Sequence, residues 1–224
     1  MGMLKDKDKE QLVKLFEEHL AEPVKLVMFT QEFECEFCKT TRELLQELAG
    51  LSDKISVEVL DFVADAERAK ALGVDKIPAT ALLGKGDKDY RIRFFGIPAG
   101  FEFTTLVEDI IDVGRGDPKL GEEIMAELSK VDKPVHIQVM VSPTCPYCPK
   151  AVRAAHRFAM ASEHIRGDMI ETMEFPHLVQ KYDVQGVPNS IINEEHKVVG
   201  AVPEMDFVKE ILAAIGKEPE IEAQ

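Results

Sequence analysis

The sequence predicts an α/β protein made of two tandem copies of one unit, each a central mixed β-sheet flanked by helices. Three observations predict it. Two Cys-x-x-Cys pairs, Cys35/Cys38 and Cys145/Cys148, stand 110 residues apart. An apolar residue followed by proline recurs 43 residues after the first cysteine of each pair, as Ile77-Pro78 and Val187-Pro188. Runs such as "VKLVMF" are apolar throughout rather than alternating, the pattern of strands covered on both faces by helices.

Each element follows from these anchors in chain order. In the first copy an amphipathic helix is expected over 6–21 and a buried strand over 24–29, opened by Pro23. The helix of the first Cys-x-x-Cys runs over 36–50, followed by a strand at 55–61 and a short helix at 65–72. Pro78 admits a strand at 79–84, the turn "GKGDKD" leads to a strand at 89–95, and a helix at 101–113 follows "FFGIPAG". In the second copy the same series is expected at 118–130, 135–141, 146–162, 168–173, 176–182, 189–193, 197–200 and 204–216. "EPVKLVMF" aligns with "KPVHIQVMV", and "FFGIPAGFEFTTLVEDI" with "VVGAVPEMDFVKEIL". The join is "DVGRGDPKL", where two glycines and a proline interrupt the helical pattern. The expected units are therefore 1–115, with CEFC, and 116–224, with CPYC.

Composition narrows the function. With 224 residues, either one large or two ordinary domains can bury a sizeable core, so no covalent staple is required. A net charge of −14 argues against a nucleic-acid partner, which needs a dense positive face. The chain opens on the polar "MGMLKDKDKE" and holds no run of 18 apolar residues. Neither a secretion signal nor a membrane partner is expected, and the expected location is cytoplasmic.

All four cysteines fall in the two pairs. Each pair follows a buried-type strand and opens an amphipathic helix, so Cys35 and Cys145 stand at helix N-termini. There, unpaired N–H groups and the helix dipole stabilise a thiolate, the attacking form. Cys38 and Cys148, one turn on, are placed to resolve a mixed disulfide. Pro78 and Pro188 are candidate cis prolines beside the cysteine turns. If they are cis, Ile77 and Val187 offer backbone groups to an extended substrate chain. Zinc is the rival use of four thiolates, but zinc ribbons bring their knuckles within about 15–20 residues.

Other features read more plainly. His19, His136, His156, His164, His177 and His196 are scattered without ligand spacing to the cysteines, so no metal site is expected. "GKGDKD" lacks the second half of any phosphate-loop motif and reads as a hairpin turn. Phe33, Phe37 and Tyr147 lie beside or between the cysteines and suit either the core or an apolar docking patch.

Strand, CxxC helix, strand, helix, X-Pro strand, hairpin and terminal helix together resemble the thioredoxin fold. Two copies carrying CEFC and CPYC resemble the glutaredoxin-like protein disulfide oxidoreductases of hyperthermophilic archaea and bacteria, over nearly the whole chain. The resemblance implies two tandem thioredoxin-fold units and a thiol–disulfide oxidoreductase acting on protein disulfides by reduction, oxidation and isomerisation. It implies no cofactor beyond the redox-active disulfides. The expected partners are proteins with disulfides or thiols and a thioredoxin reductase-like flavoenzyme. It also places Gly96 and Gly200, after each hairpin, near the active site, leaving room for substrate. The double-thioredoxin module of alkyl hydroperoxide reductase flavoproteins is similar in architecture but has lost one CxxC, which keeps open an electron relay to a peroxidase. A redox-sensing or zinc-binding interaction module is the further alternative.

Two departures from the thioredoxin pattern stand out. The Trp-Cys-Gly-Pro-Cys sequence is absent, and "VKLVMFTQ" lacks the buried aspartate that relays protons in thioredoxins, leaving Glu58 and Asp61 as weak candidates. Glu34 and Glu36 beside the first pair oppose a thiolate, so Cys145/Cys148 is expected to be the more reactive and more oxidising pair.

Overall fold

The structure, a computed structural model, describes residues 3–217. The first copy comprises α1 (Asp6–His19), β1 (Val24–Thr30), α2 (Cys38–Ala49), β2 (Ile55–Asp61), α3 (Ala66–Ala71), β3 (Ala79–Gly84), β4 (Lys88–Phe95) and α4 (Phe101–Arg115). The second comprises α5 (Glu122–Leu128), β5 (Val135–Val141), α6 (Cys148–Ala161), β6 (Ile165–Glu171), α7 (Pro176–Lys181), β7 (Asn189–Ile192), β8 (His196–Val199) and α8 (Glu204–Ala214). The expected series is present twice, and the chain is two tandem thioredoxin-fold units.

Several boundaries differ from expectation. The strand expected at 168–173 starts at Ile165. Gly167 lies inside it rather than ahead of it, and a Cβ there would meet the Ala155 carbonyl oxygen at 2.8 Å, so glycine lets α6 pack down on the sheet. The helix expected at 118–130 shrinks to Glu122–Leu128, because Asp117 accepts the Lys119 N–H in a turn ahead of it. Both CxxC helices start at the second cysteine, with Phe37 and Tyr147 at their N-caps. "GKGDKD" is a hairpin turn, closed by a 3-10 turn over Lys85–Asp87.

The strands form one eight-stranded sheet in the order β2-β1-β3-β4-β6-β5-β7-β8. Within each unit the first two strands pair in parallel and the other pairings are antiparallel. The units join where β4 lies parallel to β6, from Ile92 opposite Gly167 to Phe95 opposite Ile170. An open edge of each unit is thereby covered by the other, which removes an aggregation-prone surface. At a bulge in β4, Arg91 takes a φ of 60°. Its guanidinium donates to the carbonyl oxygens of Ala159, Ser162 and Ile165 in the second unit.

Two apolar cores lie on opposite faces of this sheet. The larger holds Phe16, Leu45, Leu106, Ile110, Phe158, Phe207 and Ile211 beneath α1, α2, α4, α6 and α8. The smaller holds Ala69, Leu72, Phe95, Phe175 and Leu178 beneath α3 and α7. Among the described residues, no helix is long and apolar enough to cross a membrane.

Candidate active site

Cys35 is disulfide-bonded to Cys38 and Cys145 to Cys148, each with a Cα–Cα separation of 5.5 Å. The second cysteine of each pair opens its helix and is buried, Cys38 at 1% exposure and Cys148 at 0%. The first is the more accessible member: Cys145 is 8% exposed and Cys35 is half-buried. An attacking sulfur must be reached from outside, so the exposure difference is compatible with attack by the first cysteine of each pair. Neither N-cap side chain bonds to the helix, so the first-turn N–H groups remain free to stabilise a thiolate.

The X-Pro bonds Ile77-Pro78 and Val187-Pro188 are both cis. In the second unit the Cys145 Sγ lies 3.7 Å from the Val187 carbonyl oxygen, so the residue before the proline borders the attacking sulfur. Behind each proline, the glycine after the hairpin donates to its carbonyl: Gly96 N–H to Pro78 O and Gly200 N–H to Pro188 O, each at 2.9 Å. X-Pro bond and glycine are thus joined in the same way in both units, and in the second the cysteine turn lies against them. The glycines differ in one respect. Nothing lies within 4 Å of where a Gly200 Cβ would stand, whereas at Gly96 that position is 2.6 Å from Glu171 Cβ and 2.8 Å from Glu174 Oε1.

Neither of the two carboxyls that the sequence offered as weak proton-relay candidates is fully buried. Asp61 is exposed and accepts the Val63 and Ala64 N–H groups in the turn after β2. Glu58 is half-buried on β2, which the sheet order leaves at an outer edge. Two other carboxyls hold their protons more tightly than usual.

The first is Glu102. Helix α4 of the first unit packs alongside α6 of the second in parallel register. The Phe101 N–H donates to Pro143 O, just ahead of Cys145. Further along, Asp109 meets Arg153 and His156, and Asp112 meets Arg153 and Arg157. Seven residues are two helical turns, so Glu102 shares a face with Asp109 and, by the same parallel register, stands level with the first turn of α6. It is 1% exposed and neither carboxylate oxygen has a hydrogen-bond partner. Burial, aided by the Asp109 charge and only partly relieved by Thr105, pushes its pKa up to about 7.

The second is Glu174, in the turn after β6. Its Oε1 accepts the Ile97 N–H at 2.6 Å, and its own N–H donates to Glu171 Oε2 at 2.8 Å. Burial, with repulsion from Glu171 and from Glu36 of the CEFC turn, pushes its pKa up to about 7. A third buried carboxyl, Asp168, serves structure instead. Burial opposes its charge, but the His136 hydrogen bond and the Arg166 guanidinium outweigh it and hold the carboxyl well below its usual range.

Phe33 and Tyr147 beside the cysteines are 77% and 71% exposed, and Phe37 is half-buried. Phe101 and Met173, each next to one of the cross-unit glutamates, are also exposed. Cys35 opens onto a cleft of about 280 Å³ that it shares with Glu32, Phe33, Lys39 and Arg42. Among the described residues, no cluster of His, Cys, Asp and Glu is assembled as a metal site.

Comparison with known proteins agrees with this geometry. Residues 135–213 match the thioredoxin domain family. The chain is 30% identical over 172 residues to the F subunit of alkyl hydroperoxide reductase from Pseudomonas aeruginosa, covering 77% of this chain and 30% of that protein. It spans about a third of the length of the curated relatives it matches. A protein disulfide oxidoreductase from Aeropyrum pernix superposes with a TM-score of 0.87 at 28% identity, covering 96% of this chain and 95% of that one. The NTD_N/C domain of alkylhydroperoxide reductase AhpF from Enterococcus faecalis gives 0.86 at 26% identity, covering 93% and 99%.

Proposed function

From a chain of two tandem thioredoxin-fold units, built like a protein disulfide oxidoreductase, we propose a thiol–disulfide oxidoreductase that reduces, forms and isomerises disulfides of other proteins. The observation that carries this reading is the second site: an accessible Cys145 bonded to a buried Cys148 at a helix N-terminus, 3.7 Å from the backbone carbonyl ahead of a cis-proline. Cys35 and Cys38 repeat the cysteine turn and the cis-proline in the first unit.

In the reducing direction the Cys145 thiolate attacks one sulfur of a substrate disulfide. A mixed disulfide forms, and the other substrate sulfur leaves as a thiolate that takes a proton from solvent. Cys148 then gives up its proton and attacks Cys145 Sγ. The Cys145–Cys148 bond closes, the second substrate sulfur leaves as a thiolate and is protonated, and two electrons have passed to the substrate. Cys148 is shut off from water, so its proton needs an internal acceptor, and we assign that role to the buried Glu102. Oxidation is the same sequence reversed. The Ile77 and Val187 backbones hold the substrate as an extended chain, and Phe33 and Tyr147 offer it apolar contact.

Insulin reduction driven by dithiothreitol tests this reading. Cys145→Ser is expected to lower the rate more than Cys35→Ser, and the fourfold cysteine variant to abolish it. A fourfold variant at the wild-type rate would overturn the proposal. A second reading is favoured by the likeness to the alkyl hydroperoxide reductase flavoproteins: an electron relay from a thioredoxin reductase-like flavoenzyme to a peroxidase. It predicts that NADPH oxidation by such a flavoenzyme, coupled to peroxide removal, depends on both cysteine pairs.

A further inference from the structure

We propose that Glu174, a carboxyl supplied by the second unit, is a positioning residue for the first unit's dithiol site, holding the Gly96–Ile97 backbone behind Pro78 and setting how readily Cys35 carries a thiolate. The proposal rests on the exchange chemistry assigned above to Cys35/Cys38.

The contacts run without a gap from Glu174 to the cis-proline. Its Oε1 accepts the Ile97 N–H at 2.6 Å, and Gly96 donates to Pro78 O at 2.9 Å. Val187 lies beside Cys145, and Ile77-Pro78 is the matching cis bond of the first unit. Gly96 is what allows the approach: its φ is 90°, and any side chain would run into Glu171 and Glu174. At the matching Gly200 that space is open. The first site is therefore roofed by carboxyls of its neighbour, and the second is not.

The roof is also electrostatically unbalanced. Glu174 Oε2 and Glu171 Oε1 are buried without hydrogen-bond partners, and Glu171 is 3% exposed. The charges pressing on Glu174 are Glu171 from its own turn and Glu36 from the CEFC turn. Among the described residues, no cation lies within ion-pair distance of it. On the Cys35 side, Lys39 and Arg42 line the cleft opposite Glu32.

An ionised Glu174 opposes a thiolate at Cys35, and by reciprocity a Cys35 thiolate raises the pKa of Glu174. Near pH 7, where Glu174 titrates, the two negative charges therefore compete for one place. Reduction of the Cys35–Cys38 disulfide adds two electrons. Of the two protons that balance them, part goes to Glu174 while Cys35 stays a thiolate.

The test uses the full chain with Cys145 and Cys148 replaced by serine, so that only the first site reports. Glu174→Gln keeps an oxygen for the Ile97 N–H and drops the charge. The variant is expected to raise the iodoacetamide-reactive thiolate fraction of Cys35 at pH 7.5 roughly three- to tenfold. Its equilibrium with glutathione is expected to shift by the same factor towards the dithiol, because the reduced form is stabilised. In the reciprocal background, with Cys35 and Cys38 as serine, Cys145 is expected to be unaffected. A pH profile and a glutathione equilibrium within twofold of the parent would overturn the proposal, because a purely structural role would move neither. A second measurement needs no variant at Glu174. In carboxyl-labelled protein, carbon-13 NMR should show the Glu174 titration midpoint rising on reduction, and identical midpoints in the two redox states would equally overturn it. Both readouts report charge at Cys35 whether or not the chain turns over a protein substrate. Loss of insulin reduction with these shifts intact would therefore count against the exchange reading alone.

Discussion

Glu102 carries its own thermodynamic signature. A carboxyl whose pKa rises on folding, here to about 7, binds its proton more tightly in the native state than in the unfolded chain. Stability from this group is therefore fully present below the unfolded value near 4.5 and declines as pH rises towards 7, where burying a charge becomes costly. Glu102→Gln is expected to gain roughly 2–3 kcal/mol over wild type at pH 8 and almost nothing at pH 4. Guanidinium unfolding at the two pH values measures the difference. Equal stabilisation at both would mean that the gain does not come from titration. The same variant should slow insulin reduction, because Cys148 loses its internal proton acceptor, and should flatten the rate-versus-pH profile near 7. The gain in stability and the loss of rate would together mark a residue kept for chemistry at the expense of the fold.

At the scale of elements, the junction between the hairpin and α4 controls the second site from the first unit. Gly100, the N-cap of α4, has a φ of 62°, and a Cβ there would collide with the Pro143 carbonyl oxygen. That carbonyl also accepts the Phe101 N–H and opens the loop to Cys145. Gly100→Ala is expected to destabilise the chain by more than the roughly 1–2 kcal/mol of left-handed backbone alone, since the loop must also move. Reactivity should fall at Cys145 and hold at Cys35, which site-resolved alkylation measures. An equal loss at both sites would mean that α4 acts only through global stability. Gly86, also at positive φ but with nothing within 4 Å, is the control: its alanine variant feels the backbone term and leaves both sites alone.

The whole molecule is held together by features that neither unit contains alone. The β4–β6 pairing, the Arg91 bonds to the second unit's carbonyls and the buried Asp109–Arg153–His156 network all cross between units. Removing one partner of such a network strands a buried charge, so Arg153→Met is expected to cost about 3 kcal/mol or more. Burial disfavours the Arg153 cation, yet Asp109 and Asp112 outweigh it and keep its pKa raised, so the guanidinium stays charged at any ordinary pH. Separated chains 1–115 and 116–224 would expose both sheet edges and leave Asp109 without its cation. They are expected to be aggregated or unfolded by circular dichroism and size exclusion, where the full chain is not. Two stable, soluble halves would show that the shared sheet is dispensable. An isomerisation rate for their mixture matching the intact chain would remove any cooperation between the sites.

The sequence by itself determined the duplicated fold, because apolar runs, proline positions and cysteine spacing are local signals, and each appears twice at matching intervals. It also singled out the four cysteines, which pair as two disulfides, and the two prolines, which are both cis, since these belong to turns encoded within a few residues. The strand around Gly167 was legible only in part: the glycine reads locally as a break, and the nearness of α6 that requires it is a tertiary fact. Glu102 and Glu174 were illegible. Each lies among ordinary helix or turn residues, and its partners are far along the chain, in the other unit. The usable signal is helical register: once Asp109 is known to meet His156, the spacing of seven residues brings Glu102 level with the first turn of α6. The pairing of β4 with β6 had no signal in sequence either, because either unit could have offered a different edge. Only packing the two sheets edge to edge decided that Glu174 reaches the Ile97 N–H of the other half, where burial rather than sequence context sets its charge.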